Sequence, residues 1–163
     1  MVNRLIRDLV DLKMQSQIGT IYIQASPKGL RSVFFEKPEH SAPSTHAQAS
    51  KIAQEAEKQL NQYFKGQRSN FDLPLDLVGT EFQKKVWKQL MLIPYGQTVS
   101  YKDIAHRLSD PNASRAVGTA NGKNPICIII PCHRVITSSG ELGGYSGGLQ
   151  RKKDLLKIEQ KII

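Results

Sequence analysis

Ser100-Tyr-Lys-Asp-Ile-Ala-His-Arg-Leu-Ser-Asp-Pro-Asn-Ala-Ser-Arg-Ala-Val-Gly-Thr-Ala-Asn-Gly122 holds two short helical periods separated by a turn. Ser100 and Asp103 have the spacing of a capping box, in which each side chain satisfies a backbone N–H of the first helical turn. Tyr101, Ile104, Ala105 and Leu108 then recur at the period of one helix face. Ser109-Asp110-Pro111 breaks that helix, and a second is expected to start at Asn112 as its cap, with Ala113, Ala116, Val117 and Ala120 facing inward. Two short helices joined by a brief turn form the helix-turn-helix pattern. Arg115 points away from the inner stripe, beside Gly118, Thr119 and Gly122. Glycine in a helix costs about 1 kcal/mol relative to alanine, so these two need a reason. Either the backbone approaches a ligand closely, with one arginine projecting, or the helix packs tightly on a neighbour.

Working outward, Thr80-Glu-Phe-Gln83 is a second capping box, followed by a stripe of Phe82, Val86, Leu90 and Ile93 and a stop at Pro94-Tyr95-Gly96. The first half of the chain reads differently. Gly19–Ala25 and Leu30–Glu36 look like strands around the turn Ser26-Pro27-Lys28-Gly29, so a hairpin is expected. After a polar loop over 37–45, residues 46–65 form a helix with Ile52, Ala56, Leu60 and Phe64 on one face and Gly66 at its end. The expected organisation is an α/β domain over 1–76, a small antiparallel sheet plus helix, and a mainly helical domain with the helix-turn-helix over 77–163.

The chemistry-bearing run is Asn124-Pro-Ile-Cys-Ile-Ile-Ile-Pro-Cys-His-Arg-Val-Ile136. Ile126–Ile130 is uninterrupted apolar sequence and reads as a buried strand. Past Pro131, Cys132 is followed by an imidazole and a guanidinium, both of which favour a thiolate. Only a few per cent of an ordinary thiol is ionised at neutral pH. Adjacent residues of an extended chain point to opposite sides, so Cys132 and His133 interact directly only across a sharp turn, or else through a water. Cys132 also admits a plain reading as a buried structural thiol. Cys127, inside the isoleucine run, reads as core. The last helix, about 148–160, places Lys152, Leu155, Leu156 and Glu159 on one face. A carboxylate on that stripe wants a partner, and His133 is a candidate, unless Glu159 only sits at a fraying end. Gly143-Gly-Tyr-Ser-Gly-Gly148 lacks the ending of a phosphate loop, and is either a loop cradling a planar ligand or simply flexible.

The chain of 163 residues carries a net charge of +9, which favours a polyanionic partner. Its two cysteines are four residues apart, a loop too short to favour a disulfide. Asp8 and Asp11 interrupt the apolar pattern at the start, against a signal peptide, and no run is long enough to span a membrane. A cytoplasmic, reduced monomer with no membrane partner is expected. His40, His46 and His106 are scattered and expected at the surface, so no metal site is read from the sequence.

Together these residues resemble the methylated-DNA–protein-cysteine methyltransferases, the alkylguanine-DNA alkyltransferases. The hallmark is Ile130-Pro-Cys-His-Arg-Val135, supported by Ile93–Gly96, Val99–Tyr101, Ser114–Gly118, Ala120–Gly122, Asn124-Pro125 and Gly144–Gly148. The resemblance implies DNA repair by stoichiometric transfer of an alkyl group, mainly methyl, from O6 of guanine to Cys132. It also admits O4 of thymine. It implies base flipping in double-stranded DNA, irreversible self-inactivation and no cofactor. Residue by residue, it implies Cys132 as acceptor, with His133 acting through a water, Glu159 and Asn124 in the relay. Tyr101, Val135, Tyr145, Ser146 and Lys152 match the base pocket, with Tyr101 also crowding the target phosphate. Arg115 matches the finger that enters the duplex, and Ser114, Gly118, Thr119 and Arg134 join it on DNA. No cysteine precedes position 127, which departs from zinc-binding relatives and implies no zinc. Two rivals remain at this level. A non-catalytic helix-turn-helix DNA-binding protein would keep Cys132 as structure, and a cysteine hydrolase would turn over.

Overall fold

The computed structural model describes residues 7–39 and 45–160, and these divide into two compact units, Met1–Leu77 and Val78–Ile163. In the first, β1 (Val10–Ser16), β2 (Gly19–Ser26) and β3 (Gly29–Phe34) form an antiparallel meander, and α1 (Ala47–Phe64) packs on it. The expected hairpin is therefore present, extended by a strand the sequence reading passed over. Val10, Leu12 and Met14 alternate with the exposed Asp11, Lys13 and Gln15, which is the signature of a half-buried strand. The segment 74–76 runs beside β3, with Leu30 N donating to Pro74 O and Asp76 N donating to Leu30 O. Gly29 makes this approach possible, because a Cβ there would lie 2.7 Å from the Pro74 carbonyl carbon. His46 caps α1 through its ring nitrogen, while His40 lies outside the described residues.

The second unit is mainly helical: α2 (Glu81–Leu90), α3 (Tyr101–Arg107), α4 (Ser114–Gly122) and α5 (Leu149–Gln160). Both expected capping boxes form, at Thr80/Gln83 and Ser100/Asp103. In the helix-turn-helix, α4 begins at Ser114 with Ala113 as its cap residue and no side-chain cap bond, so Asn112 does not fill that role. The Ala113 N–H bonds to Asp110 O, a turn that carries the chain past Asn112 before the helix starts. Of the expected inner face, Ala113, Val117 and Ala120 are buried, joined by Asn121, and Ala116 is exposed. The helix pair is held by Trp87 of α2, fully buried, whose indole N–H donates to Ala120 O at 2.9 Å.

Ile126–Ile130 is not a strand. Asn124 sits at the centre of a tight turn. Its Oδ1 accepts from Ile126 N, 2.9 Å, and its Nδ2 donates to Ile130 O, 2.8 Å. Ile130 N closes onto Ile126 O, and Ile128 takes φ 73°, a left-handed conformation that strains a β-branched residue. The run is apolar because the turn is buried, and its polar backbone is satisfied by the Asn124 side chain instead of a neighbouring strand. Beyond it, Cys132–Arg134 form a 3-10 turn and β5 (Val135–Ile136) pairs in parallel with β4 (Val99–Ser100). That short pair ties the thiol segment to the entry of α3.

Trp87→Phe keeps most of the apolar volume but removes the indole bond to Ala120 O, which is left with the 3.2 Å bond from Lys123 N. Losing one such hydrogen bond costs about 0.5–1.5 kcal/mol. The substitution is expected to lower the denaturant midpoint of the second unit accordingly, with an unchanged slope. A midpoint equal to that of the native chain would show that the indole bond does not hold the helix pair.

Candidate active site

Cys132 is buried at the start of the 3-10 turn, with 1% of its surface exposed. The helical twist of that turn, not an extended backbone, sets the direction of the three side chains that follow one another there. His133 is fully buried and its Nε2 lies 2.7 Å from Glu159 Oε1 on α5. With Nε2–H donating to a carboxylate, the neutral ring carries its lone pair on Nδ1, which faces no hydrogen-bond partner among the described residues. Burial lowers the pKa of His133, against the pull of Glu159, so the ring is a neutral base at physiological pH. Burial would raise the pKa of Glu159, but His133 and Arg134 outweigh it and hold the carboxyl at about 2.

Arg134 is placed differently from the sequence expectation of a DNA contact. It is buried, with 5% of its surface exposed. Its Nε and Nη2 reach Glu159, at 3.0 and 2.8 Å, and Nη1 donates to Ile93 O at 2.7 Å. The guanidinium also lies over the Tyr95 ring, 5.7 Å from its centroid. The planar fork fits the buried carboxylate, so Arg134 organises the interior and does not meet phosphates.

Three of the other expected site residues lie near Cys132. Asn124, Tyr101 and Lys152 all act on its ionisation or are acted on by it. Lys152 is buried, and its Nζ donates to Val135 O at 2.6 Å, to Gly144 O at 3.1 Å and to Leu142 O. Burial lowers its pKa to about 8, opposed by the Cys132 thiolate. Tyr101 is half-buried against Gly143 and takes a backbone hydrogen bond from Gly144, and burial raises its pKa. Cys132 and burial raise the pKa of Cys127, opposed by Ser146 and Tyr145, so these groups lie close enough to act on one another's ionisation. Cys127 is thus core, as expected, yet touches the reactive sulfur. The Cys132 pKa is lowered, by the Cys127 bond first and then by the Asn124 side chain and the Lys152 charge, against the cost of burial.

Ser114, Arg115, Gly118 and Thr119 line a separate open groove of about 590 Å³, with Tyr101, Lys102, Thr137 and Ser138. Arg115 and Thr119 are exposed. Close packing within the chain does not explain the glycines. A Cβ at Gly118 would meet only the Tyr101 ring, at 3.7 Å, and one at Gly122 would meet nothing within 4 Å. Tyr101 borders both the groove and the thiol, so it is the hinge between the two clusters. Among the described residues no cluster of histidine, cysteine and carboxylate could hold a metal, and no helix is long and apolar enough to cross a membrane.

Sequence reasoning missed Asn121, buried on the inner face of α4 with its Nδ2 3.4 Å from Cys132 O. Its position four residues after Val117 was the available signal.

Glu159 shows how the site titrates. Its folded pKa of about 2 lies below the ordinary 4.5, so its ionised form stabilises the fold above about pH 4.5 and that stability is lost as pH falls towards 2. Glu159→Gln is expected to destabilise the chain at neutral pH and to flatten the acid limb of its stability profile. Chemical denaturation at a series of pH values checks this, and an unchanged acid limb would contradict the pairing.

Residues 81–161 match the DNA-binding domain of 6-O-methylguanine DNA methyltransferase, and residues 9–77 match its ribonuclease-like domain. Over 149 residues the chain is 48% identical to a methylated-DNA–protein-cysteine methyltransferase of Methanosarcina barkeri, covering 90% of this chain and 94% of that one. A methylated-DNA–protein-cysteine methyltransferase of Mycobacterium tuberculosis is 59% identical over 102 residues, 63% of this chain and 62% of its own. The crystal structure of the Mycobacterium tuberculosis O6-methylguanine methyltransferase gives a TM-score of 0.85 at 43% identity, covering 95% of this chain and 94% of that one. A crystal structure of the Mycobacterium tuberculosis protein in complex with DNA gives 0.83 at 45% identity, covering 91% of each.

Proposed function

We propose, for a chain that belongs to the 6-O-methylguanine DNA methyltransferase family, that Cys132 is the acceptor of the alkyl group and His133 its base. The activity is direct methyl transfer from O6 of guanine in DNA to a cysteine of the protein, once per molecule. The observation that carries the residue assignment is the buried Cys132 beside an imidazole whose Nε2 is committed to Glu159 at 2.7 Å. Such an imidazole has one task left, to accept a proton on Nδ1.

His133 receives the thiol proton, and Glu159 stabilises the imidazolium that results. Asn124, Cys127 and Lys152 favour the thiolate. The sulfur lone pair attacks the alkyl carbon in line, a carbon–sulfur bond forms, and the carbon–O6 bond breaks. The electron pair leaves with guanine, whose developing charge is met by donors of the pocket around Val135, Tyr145 and Ser146. The product is a thioether, which the site has no means to hydrolyse, so the protein is consumed. The mechanism needs no cofactor. A single chain is proposed to act as a monomer.

A base inside a duplex hides its O6 substituent, so the target nucleotide is extruded at a cost of a few kcal/mol. Arg115 is the side chain placed to fill the gap, from a helix whose outer face is thinned by Gly118 and Gly122. Ser114, Thr119 and Tyr101 border the same groove and contact the backbone. The net charge of +9 holds the phosphates more generally.

Two outcomes are expected. Duplex DNA carrying labelled O6-methylguanine labels Cys132, saturating at one group per chain by mass. Cys132→Ser abolishes labelling and spares DNA binding, since an alcohol ionises far less readily than a thiol. Label that persists in Cys132→Ser sinks the assignment. Arg115→Ala is expected to slow transfer from duplex DNA by about tenfold or more while leaving free O6-benzylguanine nearly unaffected, because a free base needs no flipping. Equal losses on both substrates would place Arg115 in the reactive centre or in folding instead.

A further inference from the structure

The chain has two cysteines, and the fold brings both to one turn. Cys127 and Cys132 are free thiols, 0% and 1% exposed. An extended strand would carry them apart by about 3.3 Å per residue. The turn built on Asn124 does the reverse. Ile130 O accepts from Cys132 N at 2.8 Å and from Asn124 Nδ2 at 2.8 Å, and Cys127 bridges to Ile130 across the turn. Cys127 Sγ in turn donates to Asn124 O at 4.0 Å. Asn124 therefore meets Cys127 through its main chain, while its side chain acts on Cys132.

The two thiols are not equivalent. Cys127 lowers the pKa of Cys132 and is itself raised well above the ordinary thiol range, by Cys132 first and then by burial. Cys132 is thus the sulfur that ionises, and Cys127 the one that keeps its proton. A thiolate is the form that nucleophilic chemistry uses, and it is equally the form that peroxides oxidise. Cys132 is nearly closed to solvent, yet an acceptor must admit an alkyl carbon carried on an oxygen. Hydrogen peroxide, two oxygens long, is no larger than that group. Each chain has a single acceptor, so oxidation there to a sulfinic acid would waste it permanently.

We propose that Cys127 is a resolving thiol for Cys132, so that oxidation of the acceptor by hydrogen peroxide ends in an internal Cys127–Cys132 disulfide that a dithiol reopens. This rests on Cys132 being the acceptor. The Cys132 thiolate attacks one peroxide oxygen, an S–O bond forms and the O–O bond breaks. The departing hydroxide takes the proton that His133 received from the thiol and leaves as water. Cys132 is then a sulfenic acid. The Cys127 sulfur attacks the Cys132 sulfur, the S–O bond breaks, and hydroxide leaves with the Cys127 proton as water. Two thiols have given up two electrons and two protons, and one peroxide has become two waters. A dithiol reverses the sulfur chemistry by exchange, ending as its own cyclic disulfide.

The test is peroxide treatment followed by trypsin, which releases both sulfurs in the one peptide Asn124–Arg134. In the native chain this peptide is expected to lose the mass of two hydrogens, and labelling of Cys132 by free O6-benzylguanine is expected to be lost. Dithiothreitol should restore both. In Cys127→Ala the same treatment should add oxygen to Cys132, and dithiothreitol should not recover the labelling that the untreated variant shows. A native peptide that gains oxygen without losing hydrogen overturns the proposal, and so does a variant that recovers as fully as the native chain. Should Cys127→Ala not fold, the mass of the native peptide decides alone. If untreated native protein is not labelled at Cys132, the acceptor assignment has failed, while the peptide mass still reports the disulfide by itself.

Discussion

A negative charge taken out of water must be matched on every side, and the reactive unit is arranged around one such charge. Glu159 stands near the end of α5, buried, and its carboxylate receives the His133 Nε2–H, the Arg134 fork and, more distantly, the Gly96 N–H at 3.4 Å. An isolated buried carboxylate is penalised by several kcal/mol, so none of these donors is optional. Arg134 carries the constraint further, since its remaining Nη1 binds Ile93 O. One side chain thereby fixes the final helix, the 3-10 turn and the loop after α2. The tautomer of His133 follows from the same bond, and with it the nitrogen left for chemistry.

Around that anchor the sulfur sits among groups that each do a small part. The Cys127 thiol and the Asn124 carboxamide offer hydrogen bonds, and the Lys152 ammonium offers charge, all against the cost of burial. Asn124 also shapes the turn that carries Cys127 towards Cys132, so one side chain sets both the backbone and the electrostatics. Ile128 bears the strain of that turn at φ 73°. Strain of this kind persists only where the surroundings over-determine it, and here the hydrogen bonds of Asn124 do so.

What the sequence made legible follows from which signals are local. The capping boxes at Thr80 and Ser100 have a fixed spacing and formed as read. The hairpin around Ser26–Gly29 and the last helix were equally clear, and the stripe on that helix brought Glu159 to His133. The apolar run at 126–130 was misread because hydrophobicity reports burial and not conformation. Strand and buried turn look alike there, and the deciding interactions come from Asn124. Arg134 was misread for a related reason. The resemblance set it on DNA, and only tertiary structure reveals the carboxylate that claims it. The inner face of α4 was legible at Ala113, Val117 and Ala120, but Ala116 is exposed and Asn121 takes a place on that face. Against these, the alternation in β1 was present in plain sight.

The ammonium of Lys152, closed in by three carbonyl oxygens, has a different meaning after the reaction than before it. In the fresh protein the sulfur opposite, when ionised, raises its affinity for a proton, partly offsetting burial. A thioether carries no charge. Once the sulfur is alkylated, the lysine is a buried cation whose counter-ion has been erased. Such a group holds its proton less tightly, and its ionised form weighs on the fold. Fresh and spent molecules should then differ in the protons they carry near pH 8, which potentiometric titration of the two forms would register. An equal proton inventory would mean that the sulfur and the lysine do not sense each other. If they do, each molecule keeps a record of its single use in its charge, legible without any reference to the alkyl group itself.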